Sequence, residues 1–385
     1  MRLKRPGLLV QIIIAILLGI GAGMVSPSLP VRLFVTFNGV FSEFLSFIIP
    51  LIIVGLVTPA IADIGKGAGK MLAITALLAY GATLFSGFLS YGVSETFFPS
   101  LITKDIPLSE ISEAKGILPF FTIDIPEPLN VMTALVMSFT LGLGLANIDN
   151  SYLKNVFVDF KDIIVKTIQA VILPLLPIYI FGIFFNMTHS GQVFSVLSVF
   201  LKIILIIFVL HIFLLIFQYV IAGIISRKNP LKMLANMIPA YFTALGTQSS
   251  AATIPVTMKQ TIKNGVSEDT AGFVIPLCAT IHLSGSTMKI VACAIALMMM
   301  QDIPYDFKMM SGFIFMLGIT MVAAPGVPGG AIMASLGILS SMLGFDENAQ
   351  ALMIALYIAM DSFGTACNVT GDGALAVIID KLFKK

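Results

Sequence analysis

The chain has 385 residues, 58% hydrophobic and 11% charged, with a formal net charge of +2 and a mean hydropathy of +1.02. Soluble domains carry about 25% charged and about 45–50% apolar residues, so this composition leaves too little polar surface for a water-soluble globule. A near-balanced charge excludes the basic stripe of a nucleic-acid binder, and Cys278, Cys293 and Cys367 lack metal-ligand spacing and imply no disulfide framework. The composition is that of a polytopic protein embedded in a lipid bilayer.

Arg2, Lys4 and Arg5 precede an apolar run from Leu8 to Val25. Its length suits the roughly 17–25 residues of a spanning helix and exceeds the roughly 7–15 residue core of a secretion signal. No small-residue cleavage site closes it before Ser26-Pro27, so it reads as a retained helix. Apolar segments follow at 34–62, 71–93, 131–148, 163–185 and 193–225. The long polar stretch 99–128, with Asp105, Glu110, Glu113, Asp124 and Glu127, reads as an external loop.

Basic residues orient the chain. With the N-terminus inside, the cytoplasmic side collects Arg2, Lys4, Arg5, Lys66, Lys70, Lys154, Lys161, Lys166, Arg227, Lys228 and Lys232, joined by Lys381, Lys384 and Lys385. The outer side holds only Arg32, Lys104, Lys115 and Lys308. This distribution predicts both termini in the cytoplasm and an even number of full spans.

After Arg227 the pattern changes. A semi-polar stretch, 230–263, centres on Thr247-Gln248-Ser249-Ser250. Apolar segment 270–300 is broken by His282-Leu283-Ser284-Gly285-Ser286, and segment 309–343 by Pro325-Gly326-Val327-Pro328-Gly329-Gly330. The last segment, 350–379, contains Asp361, Asn368 and Asp372. The second half thus repeats one unit, a broken segment followed by a helix. Irregular backbone at membrane depth is tolerated only where protein buries it or it lines a cavity, and paired interrupted segments point to a transporter's binding site. The Ser-rich and Gly/Pro-rich stretches are therefore read as the tips of two re-entrant hairpins, one entering from each side. Kinked helices or surface loops are the alternative.

Asp361, Thr365, Asn368 and Asp372 follow at i, i+4, i+7 and i+11, one stripe on a helix. A carboxylate at membrane depth costs about 2.5–3.5 kcal/mol on insertion scales. Two on one stripe are explained if each meets a cation, whether an ammonium group, a metal ion or a proton. The plainer reading is a polar seam between helices.

Thr247-Gln248-Ser249-Ser250 with Ile254-Pro255-Val256-Thr257-Met258, Gly326-Val327-Pro328-Gly329, and Asn368-Val369-Thr370-Gly371-Asp372 give the chain a resemblance to the dicarboxylate/amino acid:cation symporter family. The likeness implies an all-α membrane protein with eight transmembrane helices plus two re-entrant hairpins, built from inverted repeats and working as an elevator. In such a unit, residues 1–225 form six spans, mostly scaffold, with spans three and six joining the moving part. Residues 226–385 form the substrate and ion core. The resemblance also implies a homotrimer in the cytoplasmic membrane.

By the same resemblance Asp361 takes a substrate's α-ammonium group and Asn368 its α-carboxylate, with Thr365 beside them. Ser249 and Ser250 contact the carboxylate, and Gly326, Val327, Pro328 and Gly329 form an extracellular gate one residue shorter than the family's pattern. Asp372 and Asn368 coordinate sodium. Relatives that carry acidic substrates have an arginine one turn before the asparagine, where this chain has Gly364, and some have an arginine where Gln248 stands. A fork-shaped donor of that kind is hard to replace, so a small neutral amino acid is the expected substrate. Lys289 is read as pairing with an acidic neighbour or snorkelling; as a substitute cation it keeps dicarboxylates and acidic amino acids open.

In the seventh span, relatives have Asn-Met-Asp-Gly-Thr where this chain has His282-Leu283-Ser284-Gly285-Ser286. Leu283 and Ser284 remove a thioether and a carboxylate expected around sodium. His282 either carries a proton or ligates the ion, or it only satisfies buried hydrogen bonds. Thr75, Tyr80 and Thr83 in the third span offer further oxygens, without an assignment among them.

Other classes fare worse. An intramembrane aspartyl enzyme needs a shared-proton dyad, whereas eleven residues of helix separate Asp361 from Asp372 by about 16 Å. A passive channel has no use for two gating tips. Without a Walker-type loop, transport is expected to run on a sodium or proton gradient.

Overall fold

The computed structural model describes residues 7–65, 70–102, 117–148, 152–191, 193–324 and 328–383. Gly326 and Val327 of the expected gate lie outside them. So do Lys104, Asp105, Glu110, Glu113 and Lys115 of the polar stretch, and Arg2, Lys4, Arg5, Lys66, Lys384 and Lys385 of the basic set. Among the described residues the regular structure is helical, with no strand.

The first half comprises α1 (Leu8–Val25), α2 (Ser28–Gly65), α3 (Lys70–Phe97), α4 (Val131–Ala146), α5 (Tyr152–His189) and α6 (Val193–Ser226). They follow the six apolar segments. α5 begins well before its apolar run because the preceding turns are amphipathic, alternating Lys154, Asp159 and Lys161 with Leu153, Val156 and Phe157. A π-helical turn at Ile168–Ile172 interrupts α5 just before Pro174. A proline without an N–H disturbs the ladder there.

The second half comprises α7 (Pro230–Asn236), α8 (Ile238–Thr247), α9 (Ser250–Lys263), α10 (Glu268–Ile281), α11 (Ser284–Met300), α12 (Phe307–Val322), α13 (Gly330–Leu343), α14 (Glu347–Ala359) and α15 (Asp361–Phe383). Local chemistry sets many of these ends. Asn229, Ser249, Ser267, Asp306 and Asp346 cap the helices that follow by accepting a backbone N–H, meeting donors that would otherwise be orphaned. The expected breaks are present at Gln248–Ser249, at His282–Leu283 and before Gly330. The run 350–379, read as one helix, is instead bent by 61° at Met360. The repeated unit is therefore a helix pair followed by a broken helix, α8/α9 with α10/α11 and α12/α13 with α14/α15.

Five helices are long and apolar enough to cross a membrane, or six if the bent α14–α15 pair is one span; four further apolar helices are shorter. These counts concern the described residues. Leu17, Leu18, Leu201, Leu205, Val209 and Ile212 on α1 and α6 are among many exposed large apolar side chains. An apolar surface of that extent requires lipid or protein cover. α1 packs on α5, and α2 on α4 and α5. α3 packs on α11 and α12, while α6 joins α15, and α8 and α9 also lie against α15. The α10–α11 stretch is 94% buried in its most apolar window, so it and α15 run through the middle of the second half.

Candidate functional site

Asp361, Thr365, Asn368 and Asp372 all fall on α15 as the spacing requires, at 5%, 7%, 2% and 1% exposure. Desolvated carboxylates and amides at that depth must find partners, and the partners divide the stripe into three levels.

At the α14–α15 bend, three consecutive residues each accept a bond from a different element. The Met360 carbonyl accepts from Lys289 Nζ of α11 at 3.0 Å. Asp361 Oδ2 accepts from the Gly329 N–H, between α12 and α13, at 2.8 Å. Ser362 Oγ accepts from Gln248 Nε2, between α8 and α9, at 2.8 Å. Both helix-pair tips thus meet the first two residues of α15. The backbone reaches these positions by left-handed turns: Gly329 has φ +72°, at little cost for a glycine, and Gln248 has φ +53°, which L side chains seldom adopt. Ser249 caps α9 through Ala252 N–H at 3.3 Å, and Ser250 begins that helix in a buried position. Pro328 is half-buried, next to Gly329.

Lys289 does not snorkel. It is 1% exposed, and its Nζ lies 4.2 Å from the centroid of the Tyr357 ring, a cation–π contact. The Tyr357 hydroxyl donates to Ser286 Oγ at 3.0 Å. Its Nζ is bonded beside Asp361, to the carbonyl of the preceding residue, and makes no ion pair within 4 Å with a carboxylate among the described residues.

One level deeper, Asn368 works as a cap supplied by another helix. Leu283 precedes α11 without a capping side chain, and Asn368 Oδ1 accepts from Gly285 N–H at 2.8 Å and Ser286 N–H at 3.3 Å. Its Nδ2 donates to Ser286 Oγ at 3.0 Å. The α10–α11 break is so close to α15 that a Cβ on Gly285 would stand 2.5 Å from Cys367 Cβ. Thr365 Oγ1 donates back to the Asp361 carbonyl at 3.1 Å.

Deepest is the contact between His282 Nδ1 and Asp372 Oδ1, 2.8 Å apart and screened from solvent. Gln218 of α6 donates to Ser284 Oγ at 3.2 Å. Gln218 and His282 both crowd Gly371, where a Cβ would lie 2.6 Å from Gln218 Oε1 and 2.8 Å from His282 Cε1. Asp372 Oδ2, Gln218 Oε1, Thr370 Oγ1 and His282 Nε2 are buried without a hydrogen-bond partner. Asp372 Oδ2 and Gln218 Oε1 are linked through His282, which bonds the carboxylate and, with Gln218, crowds Gly371; both are oxygens of the kind a hard cation takes. No group of three or more His, Cys, Asp or Glu able to hold a metal ion occurs among the described residues.

In α3, Thr75 and Thr83 turn their hydroxyls onto their own helix, at 2.7 and 2.9 Å, and Tyr80 reaches the Phe315 carbonyl at 3.2 Å. The bonds from α3 to the core come instead from Ser86 and Ser90, which donate to the Ser284 and Met288 carbonyls at 2.8 and 2.7 Å. Sequence reasoning passed over Ser86, Ser90, Gln218 and Tyr357. Gln218, a lone amide in a very apolar helix, was the one with a visible signal.

A family model described as the sodium:dicarboxylate symporter family matches residues 8–382. The serine/threonine transporters SstT of Acinetobacter baumannii strains AYE, AB307-0294 and AB0057 are each 26% identical to this chain over 392 residues, covering 98% of it and 97% of their own length. With nearly the whole sequence matched, the chain belongs to the sodium:dicarboxylate symporter family and is a membrane transporter of a small molecule with a coupled cation, not an enzyme.

Proposed function

We propose that the protein is a secondary active symporter carrying a small neutral amino acid with sodium. The observation that carries this reading is the meeting of both helix-pair tips at Asp361 and Ser362. A buried carboxylate there, beside the Gly329 N–H and the Tyr357 hydroxyl, suits an ammonium group, and Gly364 leaves the next turn without a fork for a second substrate carboxylate. The relatives named as serine/threonine transporters support the same substrate class. Sodium is assigned to Asp372 and the unpaired oxygens near it; Asn368 Oδ1, already shared by two N–H groups, is the weaker ligand. Bound at Asp361, the amino acid engages both tips, and alternating access follows if α8–α15 move as one body with α3 and α6. The packing of α3 on α11 and of α6 on α15 supports that grouping.

We further propose that six long spans together with α1 and α4 make eight, that the α8/α9 and α12/α13 pairs are the re-entrant hairpins, and that the unit is a trimer of the cytoplasmic membrane with both termini inside. A second reading, symport of a dicarboxylate or acidic amino acid, draws on Lys289, whose ammonium group fills the space over Gly364. His282, in contact with Asp372, is the candidate for a proton as second coupling ion.

Uptake into proteoliposomes tests these readings together. Radiolabelled L-serine should enter on an inward sodium gradient, compete with alanine and threonine, and resist excess aspartate. Strong inhibition by aspartate and none by alanine would give the second reading the site. Reversal potentials measured with sodium and pH varied separately give the coupling, and a flux indifferent to sodium at every pH would reject the ion assignment.

A further inference from the structure

Lys289 is a lysine sealed inside the protein, its Nζ bonded to the carbonyl of the residue before Asp361, the carboxylate that the reading above gives to the substrate. Its long stem crosses from α11 to α15 in the space directly over Gly364. A Cβ added there would overlap Lys289 Nζ and Cε, so the glycine at 364 and the lysine at 289 form one fitted pair. The Met360 carbonyl and the face of Tyr357 take two of the directions in which the ammonium group interacts. Those two contacts hold the ammonium group beside Asp361, the residue after Met360, without an ion pair to its carboxylate within 4 Å. Held by its own protein on these sides, the group is poorly placed to receive a substrate carboxylate and well placed to compensate Asp361.

We propose that Lys289 is the resident counter-ion of Asp361, a tethered cation whose influence the substrate's ammonium group must overcome to take that carboxylate. The proposal rests on the reading that Asp361 binds the ammonium group. It makes Lys289 a positioning residue that weakens affinity for amino acids, whereas a lysine receiving a substrate carboxylate would strengthen it. At an effective dielectric of about 20, a unit charge within about 10 Å of a carboxylate changes the binding of a competing cation by at least about tenfold.

The test uses purified full-length protein in lipid nanodiscs, with L-serine as the probe in the presence of sodium. Lys289→Met keeps most of the volume and removes the charge; Lys289→Gln serves if that variant folds poorly, and Lys289→Arg retains the charge. We expect L-serine to bind Lys289→Met at least about tenfold tighter than wild type, with Lys289→Arg close to wild type. Binding that is weaker or unchanged in the neutral variants overturns the proposal. Asp361→Asn separates this from the underlying reading: if that variant binds L-serine normally, the role of Asp361 fails, whatever Lys289 does. If Asp361→Asn abolishes binding while Lys289→Met has no effect, the counter-ion alone fails. A second readout needs no ligand. Gly364→Ala should lower the melting temperature in the presence of Lys289, whose buried Nζ and Cε must give way, and by much less when combined with Lys289→Ala, which removes both atoms. Equal losses in both backgrounds would overturn the fitted pair.

Discussion

Asp361 sits at 5% exposure with one oxygen bonded to a backbone N–H and a buried lysine nearby. A carboxylate so placed keeps its charge only through its partners, so changing it is a charge experiment before it is a shape experiment. Asp361→Asn keeps most of the outline and removes the charge. Breaking a buried pair costs about 3–5 kcal/mol, and more than a hundredfold loss of L-serine affinity is expected; near-normal uptake would reject the ammonium-binding role. Asn368 teaches a different lesson. Its side chain is committed to the end of α11, so part of what its sequence neighbourhood suggests as ligand chemistry is helix capping.

The two tips are built from backbone conformations as much as from side chains. Gly329 offers its N–H to Asp361 at φ +72°, a conformation any Cβ would strain. Gly329→Val should therefore cost more than about 1 kcal/mol and misdirect that N–H. Gly344, at φ +70°, ends α13 with open space around it and provides the control. Uptake per folded molecule should collapse for Gly329→Val and hold for Gly344→Ala, and equal effects would show that strain alone decides. At this scale much was legible in the sequence. Apolar length placed all six first-half helices, closely for α1, α4 and α6 but late by six and eleven residues at the starts of α2 and α5, and Gly, Pro and Ser clusters gave the breaks, because spanning length and backbone permissiveness are local properties. The stripe on α15 was legible for the same reason. The bend at Met360 was not, since no proline or glycine marks it and its carbonyl is turned toward a lysine far off in the chain. Nor was the fit of Lys289 over Gly364, for an absent side chain does not reveal what fills its place.

Across the whole molecule, the arrangement in the membrane follows from where charge and apolar surface lie. Cys278, Cys293 and Cys367 are all buried, which leaves a quiet background for labelling with single introduced cysteines. A cysteine at Glu127 should react with an impermeant reagent from outside, and one at Lys232 only from inside. If sites flanking Ser249, one on α8 and one on α9, reacted from opposite sides, the hairpin reading of that pair would fail. The polar burden of α15 also bears on how the chain enters the bilayer. It carries Asp361, Asn368, Asp372 and Asp380, all nearly buried, and each aspartate near a helix centre opposes insertion by about 2.5–3.5 kcal/mol. Such a segment has little reason to leave the translocon for lipid alone. Its partners all precede it in the chain: Gly329 for Asp361, Gly285 for Asn368, His282 for Asp372, and Ser267, whose N–H and hydroxyl both donate to Asp380. Each of these partners is synthesised before α15, so chain order allows α15 to enter the bilayer by docking onto protein that precedes it.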